Sequence, residues 1–259
     1  MTTATPGRVT NQASEHRPAS PWRAFDRIYC ISLTNRPDRY QDARAQFRRV
    51  GLGDLVEVTL FDKHPTNSEL GIYQSHMACL RAGLAAGAER IVVFEDDILF
   101  SRFSPKRLER ALRFMDSNDD WQLFFFGCFV NSSRKTRFRS VVKIGFRCCA
   151  HGYVVSGDFA RQLVETPWQN IPYDVLLRSM SPDGTYAIYP GFAFQSASAT
   201  DNDNRRGVDR ARRLFGGLHR LQQWNEFSTR RLIPLIIGHI AVLIIVALIL
   251  LLHYGVLRR

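Results

Sequence analysis

From Leu232 to Leu252 the chain runs for 21 residues without an Asp, Glu, Lys or Arg, and Leu, Ile, Val and Ala dominate it. A helix rising about 1.5 Å per residue turns that run into a rod of roughly 30 Å, the hydrocarbon thickness of a bilayer. Core helices of soluble domains are seldom apolar on every face for so long. The run therefore predicts a C-terminal transmembrane helix, placed at residues 232–257, with Pro234 in its first turn where a missing N–H costs little. Flanking charge sets the orientation. Eight of the ten arginines in residues 205–259 precede the run and two follow it, which puts the upstream body on the cytoplasmic face of a single-pass, C-terminally anchored protein.

The tail also explains why the chain is basic. The net charge is +11, and ten arginines against Asp209 and Glu226 give the tail +8, leaving +3 for the other 204 residues. Nucleic-acid-binding domains spread cations over the folded body, so no nucleic-acid partner is expected. In residues 205–231 the arginines alternate with apolar residues, and Leu214, Leu218 and Leu221 recur at helical spacing. That pattern predicts a basic amphipathic juxtamembrane segment against membrane lipids, with a solvated connector helix as the alternative. Residues 1–21 are polar and Pro-containing, lack an apolar h-region, and read as a disordered arm without a secretory signal. The five cysteines are odd in number and show no CxxC spacing, which fits a reducing compartment.

Residues 22–204 form the expected folded domain, where strand-like and helix-like stretches alternate. Strands are predicted at Arg27–Leu33, Val56–Phe61, Ile91–Phe94 and Leu123–Phe126. Helices are predicted from Pro37 to about Val50, at Gly71–Gly87 and at Pro105–Met115. The uninterrupted apolar run Ile91–Phe94 marks a strand buried on both faces. Alternation of this kind defines an α/β fold with a doubly wound, mostly parallel sheet. The second half is more mixed, with strands near Val141–Ile144, Gly152–Ser156, Tyr186–Tyr189 and Ala193–Gln195 and helices at Asp158–Glu165 and Tyr173–Met180.

Open α/β sheets bind ligands at the carboxyl ends of their strands. At such an end stand Glu95, Asp96 and Asp97. Three adjacent carboxylates beside a low-dielectric core repel one another unless a cation compensates them, and carboxylate oxygens suit Mg²⁺ or Mn²⁺. An acidic loop or a helix N-cap is the plain alternative. No dinucleotide fingerprint, P-loop or nucleophile elbow occurs, which disfavours nicotinamide enzymes, P-loop NTPases and serine hydrolases. A metal-dependent reaction on a phosphorylated or nucleotide-linked substrate survives the elimination.

Six segments in order give the chain a family likeness: Ile28–Arg39 with its R-x-D-R turn, Gly71-Ile-Tyr-Gln-Ser-His76, Val93-Phe-Glu-Asp-Asp97, His151-Gly-Tyr-Val-Val-Ser156, Tyr173-Asp174, and Tyr189-Pro190 followed by Gln195. Over about Arg27–Asp201 the chain resembles glycosyltransferase family 25, of the lipopolysaccharide-biosynthesis and procollagen-galactosyltransferase type. The resemblance implies a GT-A-like fold, a nucleotide-sugar donor, a Mn²⁺ or Mg²⁺ cofactor and inversion at the anomeric carbon. It implies Asp97, Glu95 and His151 as metal ligands, with Asp201 and Asp203 as further candidates. Arg36, Arg39, Ser75, His76, Glu95, Asp96 and Gln195 would line the substrate site, and Asp174 would be the catalytic base. The expected protein is a membrane-tethered glycosyltransferase acting on a lipid-linked or surface-glycan, lipopolysaccharide-like acceptor. The alternatives are a catalytically silent scaffold of a glycan-assembly complex and a metal-dependent phosphohydrolase.

Overall fold

The computed structural model describes residues 20–196 and 217–256. The expected N-terminal arm up to residue 19, the stretch 205–216, and Asp201 and Asp203 lie outside the described residues.

Among the described residues, a 3-10 turn at Pro21–Ala24 is followed by ten strands and six helices. The strands are β1 (Arg27–Leu33), β2 (Glu57–Phe61), β3 (Arg90–Glu95), β4 (Ile98–Phe100), β5 (Leu123–Phe125), β6 (Phe129–Lys135), β7 (Val141–Cys148), β8 (Gly152–Ser156), β9 (Thr185–Ile188) and β10 (Ala193–Gln195). The helices are α1 (Pro37–Arg49), α2 (Ser68–Ala85), α3 (Pro105–Asp116), α4 (Gly157–Glu165), α5 (Tyr173–Met180) and α6 (Gly217–Val256). Eight strands make one sheet in the order β2-β1-β3-β8-β5-β9-β7-β6, and β4 pairs with β10 in a small antiparallel ribbon. The pairings set β2, β1, β3, β5, β9 and β6 in one direction and β8 and β7 in the other. The sheet is thus mixed but mostly parallel, as the alternation of elements predicts.

Local chemistry fixes the element ends. Pro37 opens α1, Asp38 sits in its first turn and Arg48 and Arg49 in its last, each favourable with the helix dipole. Gly51 then takes φ +77°, the left-handed conformation that stops the helix. The Asn67 side chain caps α2 by accepting from the Glu69 and Leu70 N–H groups, both at 3.1 Å, so α2 begins at Ser68 and not at Gly71.

Ile91, Val92, Val93 and Phe94 are all 0% exposed, because β3 lies between two layers of helices. Val92 and Phe94 face a core that includes Phe47 of α1, Leu108 of α3 and Trp22. Ile91 and Val93 face Met77 of α2, Phe159 of α4 and Leu176 of α5. The first core is aromatic: Phe94, Phe126 and Phe192 stack in series at 5.7 and 5.3 Å between centroids. Each fully buried phenyl contributes about 1.5–3 kcal/mol. Trp22 also donates its indole N–H to the Val50 carbonyl at 3.0 Å, tying the entry turn to the end of α1.

Helix α6 is one unbroken element of 40 residues. Its first part is docked on the domain by polar contacts. Gln222 Nε2 donates to the Ala193 carbonyl at 3.1 Å. Asn225 exchanges two bonds with the Val130 backbone, accepting at 2.8 Å and donating at 3.0 Å, which occupies a stretch of β6 edge that would otherwise stay unpaired. Gly127 is required at this joint, because a Cβ there would strike the Ala193 carbonyl oxygen and Gln222 Nε2. Arg230 lies 3.9 Å above the Tyr189 ring centroid. The second part, Leu235–His253, has 19 residues and a mean hydropathy of 3.2, and none of it is buried against the domain. It is long and apolar enough to cross a bilayer.

Candidate active site

The strand order decides where a ligand can enter. From β1 the chain passes through α1 to β2 on one side, then through α2 to β3 on the other side of β1. The carboxyl ends of β1 and β3 therefore flank a topological switch point, where an open α/β sheet leaves a crevice. A deep cleft lies there. Ser32 from the end of β1, Lys63 after β2, and Glu95, Asp96 and Asp97 from the end of β3 form its floor. Ser75 and His76 of α2 and Tyr173 and Asp174 of α5 form one wall, and Gln195 and Leu218 close another.

The three consecutive acids do not converge on one point. Asp96 turns inward, 6% exposed, where its Oδ2 accepts from Ser32 Oγ at 2.7 Å and its Oδ1 lies 2.5 Å from Arg39 Nη2. Asp97 Oδ2 lies 3.1 Å from the same Arg39 nitrogen and accepts from Gln195 Nε2 at 3.2 Å. Glu95 faces the other way, its Oε1 3.4 Å from His76 Nε2. A single guanidinium from the first turn of α1 thus partly fills the role of the cation that the sequence demands. Burial still dominates: it pushes the Asp96 carboxyl up, and it raises Asp97 to about 7 despite the Arg39 charge.

Asp97 Oδ1 is buried and makes no hydrogen bond among the described residues. An ionised oxygen left so at the floor of a cleft is costly, and it is the chemistry a hard dication relieves. No group of three or more His, Cys, Asp or Glu side chains among the described residues has metal-holding geometry. Asp97 alone fits, in the manner of a Mg²⁺ or Mn²⁺ held by one carboxylate and completed by substrate phosphate and water. His151 is wholly buried, off the cleft wall, with the backbones of Ala193 and Cys149 beside its ring. Burial lowers its affinity for a proton.

His76 is 1% exposed. Its Nδ1 is 2.9 Å from the Tyr153 hydroxyl, which is 2.8 Å from the Tyr173 hydroxyl, and its ring stacks on Tyr173 at 4.0 Å between centroids. Burial depresses its pKa to about 3, so the ring is neutral at pH 7. A group whose folded pKa lies below its unfolded value of 6.5 binds more protons when unfolded, so stability falls as pH drops from about 6.5 towards about 3. In His76→Phe, which keeps the stack on Tyr173, the difference from the parent protein should shrink or reverse as pH falls through that window. Urea melts at several pH values read this directly.

The other expected site residues divide. Ser75 lines the cleft, but its hydroxyl donates to the Gly71 carbonyl at 2.8 Å. Asp174 lines it too, accepting from the Cys149 and Ala150 N–H groups at 3.0 and 3.1 Å. These bonds hold the turn in which Cys149 has φ +73°. Arg36 stands off the cleft wall in a two-bond pair with Asp38 at 2.9 and 2.8 Å. Asp62, Lys63, His64 and Glu69 line the cleft without having been singled out, and Tyr173, named only as part of a motif, lines it too. The first three directly follow β2, so the strand-end rule could have found them.

An acidic crevice at the switch point of a doubly wound sheet defines the class, an α/β domain with its ligand cleft at the carboxyl ends of its strands. Comparison then shows which family the chain is similar to. The model of glycosyltransferase family 25 (LPS biosynthesis protein) matches residues 55–177, so the resemblance holds over the segments from Gly71 to Asp174. A human protein described as inactive glycosyltransferase 25 family member 3 is 27% identical over 45% of this chain and 24% of its own length. The chain therefore spans about a quarter of that curated relative. Among solved structures, a glycosyltransferase involved in glycosylation of the major capsid of PBCV-1 aligns at TM-score 0.39 and 11% identity, over 71% of this chain and 99% of its own. A197 from STIV aligns at 0.42 and 12%, over 65% and 84%. The fold assignment rests on the strand order itself.

Proposed function

We propose that this protein transfers a sugar from a nucleotide-sugar donor to an acceptor hydroxyl, with inversion, on a membrane-anchored domain facing the cytoplasm. The observation that carries the reading is the unpartnered Asp97 Oδ1 on the floor of an acidic switch-point cleft. Six acids, Asp62, Glu69, Glu95, Asp96, Asp97 and Asp174, share the lining with two full cations, Arg39 and Lys63. A donor diphosphate would be repelled from such a lining without added positive charge. A Mn²⁺ or Mg²⁺ held by Asp97 would supply that charge and neutralise the leaving diphosphate. Glu95 and His151 complete the expected ligand set only if their side chains move.

The chain's own residues do the rest. Lys63 and Arg39 bring the fixed positive charge nearest to the diphosphate. Ser75, His76, Glu95, Asp96 and Gln195 shape the donor side of the cleft. Each Asp174 oxygen spends one lone pair on a backbone N–H and keeps another, so Asp174 can hold its orientation while taking a proton. The acceptor oxygen forms its bond to the anomeric carbon as the bond from that carbon to the phosphate oxygen breaks. The electron pair leaves with the nucleoside diphosphate, and the hydroxyl proton passes to Asp174.

The anchor bears on the acceptor. Leu218 at the cleft rim and Leu235 at the start of the apolar stretch lie on one continuous helix. At 1.5 Å per residue the rim stands about 26 Å above the span when the helix is upright. An acceptor must reach that height, which favours a lipid-linked or surface glycan of lipopolysaccharide type over a single lipid-borne sugar. Tethering both partners to one surface raises their effective concentration.

The test is to incubate the detergent-solubilised chain with Mn²⁺, a panel of nucleotide sugars and glycolipid acceptors, and to follow both sugar transfer and nucleoside diphosphate release. Phosphate release without transfer supports a phosphohydrolase instead. A silent scaffold has one observation in its favour, the Arg39 pairing that already offsets two of the acids. It predicts neither product.

A further inference from the structure

We propose that the β6–β7 hairpin is a docking surface for anionic lipid headgroups, set beside the membrane-spanning helix. The inference rests on the reading of α6 as an anchor and adds a second contact between the domain and the bilayer. Residues 129–148 carry Arg134, Lys135, Arg137, Arg139, Lys143 and Arg147 and no acid. The first four are exposed around the tip, and none of the ion pairs among the described residues involves them.

The register makes this arrangement costly by itself. Arg134 stands directly opposite Lys143 in the ladder, and like charges in that position are destabilising. Guarding a sheet edge against aggregation would need only a charge or two of either sign. A tip made wholly of cations is suited to an external anion.

The topology supplies the anion. Val130 is bonded to Asn225, while Ser133 and Thr229 line one small cavity, so β6 runs alongside α6 in the same sense. From Val130 to Lys135 the strand advances about 16 Å. From Asn225 to Leu235 the helix advances about 15 Å. The cationic tip therefore comes level with the start of the apolar span, where headgroups lie, close to Arg230 and Arg231. Cations there are each drawn to an anionic surface within a Debye length. With two contacts the domain cannot swing freely about its anchor.

Trypsin reads the same residues. The full chain is reconstituted into phosphatidylcholine vesicles with and without phosphatidylserine, and cuts are located by mass spectrometry. At low salt, cutting after Arg134, Lys135, Arg137 and Arg139 should be at least about tenfold slower with phosphatidylserine. It should recover in molar salt, where screening is complete within about 3 Å. Cutting at Arg48 and Arg49, on α1, should not change with lipid. In the variant carrying Arg134→Glu and Arg139→Glu, the remaining Lys135 and Arg137 sites should be cut equally in both lipids. Equal cutting of the parent hairpin in both lipids, with the chain floating with vesicles after an alkaline wash, overturns the docking surface alone. Failure to float overturns the anchor and the hairpin together.

Discussion

Asp97→Asn is expected to lower sugar transfer by about three orders of magnitude, the effect of removing several kcal/mol of charge stabilisation at the leaving diphosphate. The loss should appear in kcat and in Mn²⁺-dependent donor affinity together, because the same carboxylate serves both. Stability should move the other way. Burial raises Asp97 to about 7, above the ordinary carboxylate value, so ionisation in the folded state opposes folding. That penalty is complete above pH 7 and vanishes as pH falls towards the unfolded value near 4. The variant should therefore melt at or above the parent temperature at pH 8 and lose this advantage at pH 5. A site kept at the expense of stability behaves in this way. Thermal melts at the two pH values, beside a nucleoside diphosphate release assay, measure both halves.

Arg39→Met should give the second large effect, on folding. Its Nη2 is shared by Asp96 and Asp97, and its removal leaves two buried carboxyls without their cation. Breaking a buried pair in this way costs about 3–5 kcal/mol, which for a domain of this size lowers Tm by roughly 10 °C. The sign with pH is fixed by the raised carboxyls. The destabilisation should be greatest at pH 8 and smaller at pH 5, where Asp97 takes up a proton. Millimolar Mn²⁺ should recover part of the lost Tm, since it offers Asp97 another cation. Calorimetric melts of the parent and variant with Mn²⁺ and with chelator decide the point.

Much of this was legible in the sequence, for physical reasons that differ by element. β3 announced itself because a strand covered on both faces must be apolar at every position, as Ile91–Phe94 is. The acids that follow had to lie at a strand end, and the cleft is there. β6 was not anticipated. It lies at the edge of the sheet and reads Phe-Val-Asn-Ser-Ser-Arg-Lys, without the alternation that a half-buried strand shows. The early start of α2 was available in Asn67-Ser-Glu-Leu, a capping sequence that the apolar spacing obscured.

At the site, the identity of the acids was legible but their partners were not. Arg39 and Asp96 are 57 positions apart and meet only because α1 returns its first turn over the end of β3. Neighbouring arginines separated for the same reason: Arg39 is buried against the acids, while Arg36, three residues earlier, pairs with Asp38 outside the cleft. Periodicity suggested a basic amphipathic segment over residues 205–231, or a solvated connector helix, ahead of the apolar run. It could not show that α6 runs from the docked part into the apolar stretch without a break, the feature on which the proposed height of the cleft above a bilayer rests.

The most direct measurement is the melting temperature of the full chain in detergent across a panel of nucleotide sugars, with Mn²⁺ and with chelator. A ligand present at a hundred times its Kd adds about 2.7 kcal/mol to stability. At least one sugar nucleotide should raise Tm in Mn²⁺ and not in chelator, and Asp97→Asn should erase the difference. A rise of equal size in chelator, or an undiminished rise in the variant, would contradict the assignment of Asp97 as the residue through which the donor is held.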